Sequence, residues 1–429
     1  MQPVGTGEII GGIVTAPAWR RVGRRVLRLT LVGLVGLAAL LGRACQAEPA
    51  TAPPAAPLRL VFAGDTYFGE TFIGRETLDG KALPGPEAGL QAAAALQPLV
   101  RDADAVILNL ETPLTYLDSS PLAGRKDYLH RGHPETSLQA LRVLRASAVS
   151  LANNHAMDYG EAGLADTLAT LRSQGIESFG AGSGPRHAAT PWSRRWQTPA
   201  GDLTVIVATG YEYNRRYDTH YDVYAEPGDE GVNLWTPDSA RNQVRALRAA
   251  WPRAVIVAFP HGGDNYAWRD DHQVRLHEAL IDAGADLVLG HGAHLAQEIA
   301  CRQGRWIVHG LGNAVFNTPG RYADSRRHPW SLVAALLLHA DSAGLRLGLR
   351  LYPIHSDNQT TGYRPQPVTR DEAERLARLL MWRASGLGQQ LVLRPVRDAW
   401  GWHFPIDLGT RALEPPLRLE PRALSRRQD

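Results

Sequence analysis

Short, almost continuously apolar runs alternate along this chain with longer stretches of helical periodicity, and a polar motif closes the main runs. Those at 58–63, 105–108, 149–152, 254–260 and 286–289 stop at Gly64-Asp65, Asn109-Leu110-Glu111, Asn153-Asn154-His155, His261 and Gly290-His291-Gly292-Ala293-His294 respectively. Runs that are apolar throughout, rather than alternately, fit strands covered on both faces, so the pattern predicts an α/β domain whose sheet lies between helices. Sheets of this kind bind ligands beyond their strand ends. Carboxylate, amide and imidazole groups would therefore gather on one rim. That mixture of oxygen and nitrogen donors suits a divalent metal such as Zn²⁺, Mn²⁺ or Fe.

Helical periodicity is expected over 90–100, 134–145, 163–174, 238–250, 270–283 and 370–385. Further strands are expected at 203–209 and 306–311, and as a hairpin of 331–339 and 345–351 about Asp341-Ser342-Ala343-Gly344. The Ala/Pro-rich stretch 48–57 is too poor in large apolar groups to fold and reads as a linker. The Pro- and Arg-rich stretch 386–429 reads as a partly ordered tail, which leaves 58–385 as the folded domain.

Residues 1–47 read as an export leader. Arg20, Arg21, Arg24, Arg25 and Arg28 precede the uncharged run 29–42, and small residues follow it through Cys45-Gln46-Ala47. The run is shorter than the ~20 residues that cross a bilayer comfortably, so a cleaved signal peptide fits it, with an uncleaved membrane anchor as the alternative. Either reading puts the remainder outside the cytoplasm, in the periplasm or at the cell surface. The formal net charge of +3 owes its sign to this leader, where Glu8 is the only acid. Lysine occurs only at Lys81 and Lys126, and the arginines elsewhere form no basic stripe. Nucleic acid is thereby excluded as a partner.

The motifs carry specific chemistry. A period of two puts Asn109 and Glu111 on one side of a strand end. Asn154 offers an amide oxygen to a metal, and the adjacent His155 can donate a proton to a leaving oxygen. His261 precedes Gly262-Gly263, which permit close approach of a ligand to the backbone. His291 and His294 are spaced so that both can face one ion. Asp158, three residues after His155, can hydrogen-bond that ring or cap the next turn. Among the 15 histidines, His130, His277 and His339 are read as structural, His277 within a helix and His339 on a core strand.

In this order the motifs resemble those of the CapA-type poly-γ-glutamate capsule biosynthesis proteins, a branch of the calcineurin-like metallophosphoesterase superfamily. The resemblance rests on Phe62-Ala63-Gly64-Asp65, Asn109-Leu110-Glu111-Thr112-Pro113-Leu114, Ser150-Leu151-Ala152-Asn153-Asn154-His155-Ala156-Met157-Asp158, Gly180-Ala181-Gly182, His261-Gly262-Gly263, Gly284-Ala285-Asp286-Leu287-Val288-Leu289-Gly290-His291 and Leu311-Gly312-Asn313. It implies a four-layer sandwich of two mixed sheets flanked by helices, where alternation alone leaves a single doubly wound sheet open. It also implies one or two divalent ions, with Asp65 and His294 at the first, Asn154, His261 and His291 at the second, Glu111 between them, and His155 as the catalytic proton donor. Implied partners are an anionic envelope polymer, or a phosphoester or amide substrate, and the membrane proteins of capsule synthesis, with membrane association through the N-terminus. The role is then either a metal-dependent hydrolase or a non-catalytic assembly or export factor that keeps the metal site. Tyr67 departs from the pattern, standing where phosphoesterases place a histidine, and leaves the first site short of a nitrogen ligand. Gly262, Asn265, Gly292 and Ala293 replace the branch's usual tryptophan, glutamate, histidine and proline.

Overall fold

The computed structural model describes residues 56–69, 87–198, 201–341 and 344–411. The predicted leader, most of the linker and the end of the predicted tail lie outside them. The first apolar runs form β1 (Leu58–Tyr67), β2 (Ala105–Leu110), β3 (Ala148–Ser150) and β4 (Glu177–Phe179), parallel neighbours in one sheet. After β5 (Ala181–Ser183), which pairs with β8 (Glu230–Val232), the chain builds a second sheet. It contains β6 (Trp192–Thr198), β7 (Gly201–Glu212), β9 (Leu234–Trp235), β10 (Val255–His261), β11 (Leu287–Leu289), β12 (Ile299–Arg302) and β13 (Arg305–Val308). The chain then returns to the first sheet through β14 (Asn313–Phe316), β15 (Trp330–Asp341), β16 (Gly344–His355), β17 (Gln366–Pro367), β18 (Val396–Asp398) and β19 (Gly401–Arg411).

Strand alternation fixes the layers. Leu60 and Phe62 of β1 face a core shared with Val205, Val207, Val257 and Leu287 of the second sheet. Val61 and Ala63 face the other way, onto Leu96, Leu141 and Leu164 of helices Glu87–Val100, Pro134–Val143 and Gly160–Ser173. In the second sheet Ile206, Ile256 and Val288 turn outward onto Val244, Leu276 and Leu280 of helices Pro237–Ala250 and Asp271–Asp282. The order is helix, sheet, sheet, helix, which is the four-layer sandwich.

Three expectations are corrected. The strand expected at 306–311 stops at Val308, because the chain leaves the second sheet there and, turning through Gly312 at φ +78°, enters the first sheet at Asn313. The stretch assigned to a tail from residue 386 contributes β18 and β19, and β19 pairs antiparallel with β16. Phe404 and Ile406 on β19 are buried in the inter-sheet core, so the domain runs well past 385. His339, near the end of β15, is half-buried rather than core.

Candidate metal centre

Asp65 is aimed by an irregularity in its strand. The register of β1 shifts between Ala63 and Asp65 against β2, and again after Asp65 against β14. Gly64 lies so close to Gly312 that a Cβ there would overlap the Gly312 carbonyl oxygen, and the Asp65 amide donates to that oxygen at 3.0 Å. In the second sheet, His261, the last residue of β10, forms a parallel bridge with His291, just past the end of β11. His294 has φ +63°, a left-handed conformation that a residue with a Cβ adopts only where its surroundings enforce it. The Asn313 amide oxygen 2.8 Å from its Nδ1, and the Tyr322 hydroxyl donating to its carbonyl at 2.8 Å, hold it there.

The strand ends meet. Asp65 Oδ1 lies 3.4 Å from His291 Nδ1 and 3.7 Å from His261 Nδ1, and its Oδ2 lies 3.4 Å from His294 Nδ1. Glu111 Oε1 lies 3.9 Å from His261 Nε2, which is 2.9 Å from the Asn154 amide oxygen. The predicted residues Asp65, Glu111, Asn154, His261, His291 and His294 thus form one cluster, and His155 joins it with Nε2 4.0 Å from Glu111 Oε1. Two overlapping sets, Asp65 with His261 and His291, and Asp65 with Glu111 and His294, have their donor atoms within 4.8 Å of one another. Asp65 is therefore common to both, where the resemblance placed Glu111.

The two carboxylates are treated differently. Burial alone would raise Asp65, but hydrogen bonding to His291 and His294 carries it well below the usual range. Asn109 Nδ2 and the Gly292 amide also donate to it, each at 3.0 Å. Burial, followed by the charge of Asp65, pushes Glu111 well above the usual range. Both Glu111 oxygens and His291 Nε2 are buried with no hydrogen-bond partner among the described residues. Buried polar atoms are normally satisfied. An orphaned carboxylate within 4.8 Å of the donor atoms of Asp65 and His294 fits a divalent cation, which would neutralise the pair of carboxylates and use those lone pairs.

His155 is held from behind. Its Nδ1 lies 2.7 Å from Asp158 Oδ2, so the ring donates there and turns Nε2 toward Glu111. Burial lowers the basicity of both His155 and His261, which favours neutral rings. His130, read from sequence as structural, stacks flat on His155 at 3.5 Å between ring centroids and on Tyr67 at 4.0 Å. Its Nδ1 donates to the Glu111 carbonyl at 2.9 Å. Lys126, also missed, pairs with Asp158. Both come from the irregular stretch between β2 and helix Pro134–Val143, where no periodicity points inward. The rarity of lysine was the one available signal. Tyr67, fully buried in its stack, fills the position of the absent imidazole.

A four-layer α/β sandwich with a buried carboxylate and imidazole cluster at its strand ends is the fold that the sequence resemblance implied. The chain belongs to the bacterial capsule synthesis protein PGA_cap family, whose model matches residues 59–318. It is 27% identical over 300 residues to a "Probable polyglutamine synthesis accessory protein" of Mycobacterium tuberculosis, covering 68% of this chain and 75% of that one. It is 28% identical over 260 residues to the PGA biosynthesis protein CapA of Bacillus subtilis, covering 59% and 63%. A 5'-nucleotidase precursor from Thermus thermophilus superposes with a TM-score of 0.38 at 13% identity, over 79% of this chain and 61% of that one, too loosely to bear on function.

Proposed function

We propose that this protein acts outside the cytoplasm in the biosynthesis of an anionic envelope polymer of the poly-γ-glutamate kind, as a metal-dependent hydrolase of a phosphoester or amide-like bond. The observation that carries this reading is the orphaned Glu111 carboxylate, grouped with Asp65 and His294 and beside an oriented His155. Asp65, Glu111, Asn154, His261, His291 and His294 are the residues that would hold one or two divalent ions. A bound ion supplies Lewis acidity and an activated water. The protein's own part is to keep the carboxylates and rings dry, and to aim His155 Nε2 at the leaving group, with Asp158 at Nδ1 placed to support the imidazolium that would carry a proton to it. The leader and the relatives' role in capsule polymer synthesis support export.

A non-catalytic assembly factor is the second reading. Tyr67 favours it, since it denies the first site an imidazole. Metal analysis of the mature chain, with phosphoester and γ-glutamyl peptide screens, decides between them. His155→Ala should lower turnover by ~10²–10⁴-fold with metal content kept, the usual weight of a general acid. His261→Ala should lose metal and turnover together. Metal binding without turnover of either substrate class would give the assembly reading the lead, and a wild type without metal would sink both. Cell fractionation finding the chain soluble in the cytoplasm would remove the export claim.

A further inference from the structure

Lys126 is the only lysine among the described residues, and it is buried, its side chain only 4% exposed. A buried ammonium is costly unless fully paired. Its Nζ donates to the Asn154 carbonyl at 2.7 Å and to Asp158 Oδ1, and it lies 5.2 Å from the centre of the Tyr217 ring. Asp158 is completely buried, and its other oxygen serves His155 Nδ1 at 2.7 Å and the His130 amide at 2.6 Å. One cation, delivered by a segment distant in sequence, therefore grips two consecutive residues of the centre by different handles. It holds Asn154 by the main chain, with the amide oxygen of that residue turned to His261. It holds His155 through Asp158, with Nε2 turned to Glu111.

Building on the metal-centre reading above, we infer that Lys126 is a positioning residue for the Asn154–His155 pair. It presents the amide oxygen to the ion and fixes the direction in which the imidazole faces, without itself touching ion or substrate. A compact ammonium carries three donors on one atom and so can bridge a carboxylate and a carbonyl in this way.

The test compares Mn²⁺ and Zn²⁺ affinity by calorimetry, and thermal melting, for the wild-type chain, Lys126→Met and the double variant Lys126→Met/Asp158→Asn. Lys126→Met strands the Asp158 charge and should melt early. The double variant removes both buried charges at nearly constant volume, so it should regain much of the wild-type melting temperature. A purely structural ion pair would then regain metal affinity as well. A positioning role predicts that affinity stays about 10–100-fold weaker in the double variant, the usual cost of losing a support behind a ligand. Wild-type affinity in the folded double variant overturns the inference while leaving the metal centre standing. A wild type that binds neither ion overturns both.

Discussion

Glu111 and Asp65 bring two carboxylates to one buried point, and the protein's own donors serve only Asp65. Without a cation the second carboxylate is a liability to the fold. Glu111→Gln removes the buried acid and sets a neutral amide donor beside the Asp65 carboxylate, so it should raise the melting temperature of the metal-free chain by an amount equivalent to about 1.5–3 kcal/mol, the range for a hydrogen bond to a charged group. The same variant should lose most of the stabilisation that added metal gives the wild type, which is ~2.7 kcal/mol at a hundredfold excess over Kd. Scanning calorimetry with and without chelator measures both effects. Equal melting of the two metal-free chains would contradict the account of Glu111. The residues in this prediction were legible from the sequence as ends of apolar runs. His130 and Lys126 were not, since they lie in irregular backbone, where burial leaves no periodic trace.

At the level of elements, the centre depends on close approaches between strands far apart in sequence. Gly64→Ala forces a methyl group against the Gly312 carbonyl, separating β1 from β14 just where Asp65 and Asn313 are placed. An overpacking cost of about 1–3 kcal/mol is expected, accompanied by weaker metal binding. Unchanged melting and affinity would show that the strands can part freely. The last strand makes the opposite point about reading a sequence. Phe404 and Ile406 alternate with Pro405 and Asp407 on β19, a half-buried pattern that looks like a tail among prolines and arginines until its partner β16 is known. Phe404→Ala should cost about 3–5 kcal/mol in urea unfolding. A chain ending at Ser385 should not form soluble folded protein, since it uncovers the edge of β16. A soluble, wild-type melt from that truncation would restore the tail reading.

Across the whole molecule, buried histidines set the response to acid. His277, on helix Asp271–Asp282, and His309, after β13, meet with Nδ1 atoms 3.0 Å apart. Burial brings His277 down to about 3 and His309 well below its ordinary value. The unfolded chain takes up these protons below pH ~6.5, while the folded chain resists them. The pair's stability is therefore complete above ~6.5 and is lost as pH falls toward 3. Urea unfolding at pH 7 and pH 5 should show a loss approaching 1 kcal/mol per histidine per pH unit. His277→Leu/His309→Leu should reduce that dependence by the pair's share, leaving what the other buried histidines contribute, and an equally steep slope in the double variant would assign it elsewhere.

The sequence by itself determined which segments become strands and helices, where the main apolar runs stop, and which metal-ligating side chains stand at those stops. These are local properties, written in the period of apolar residues and in the chemistry of the residue that ends each run. Only the tertiary structure decided which strand lies beside which. Partners such as Asp65 and Asn313, or His261 and His291, lie side by side within one sheet, and the packing and pairing of whole strands selects them rather than any local period. The same packing brought Lys126 and His130 behind His155, drew β19 into the first sheet, and made Asp65 common to both sets of donors. Burial of a polar group is a property of the surroundings the fold supplies, and so it cannot be read from the residue alone.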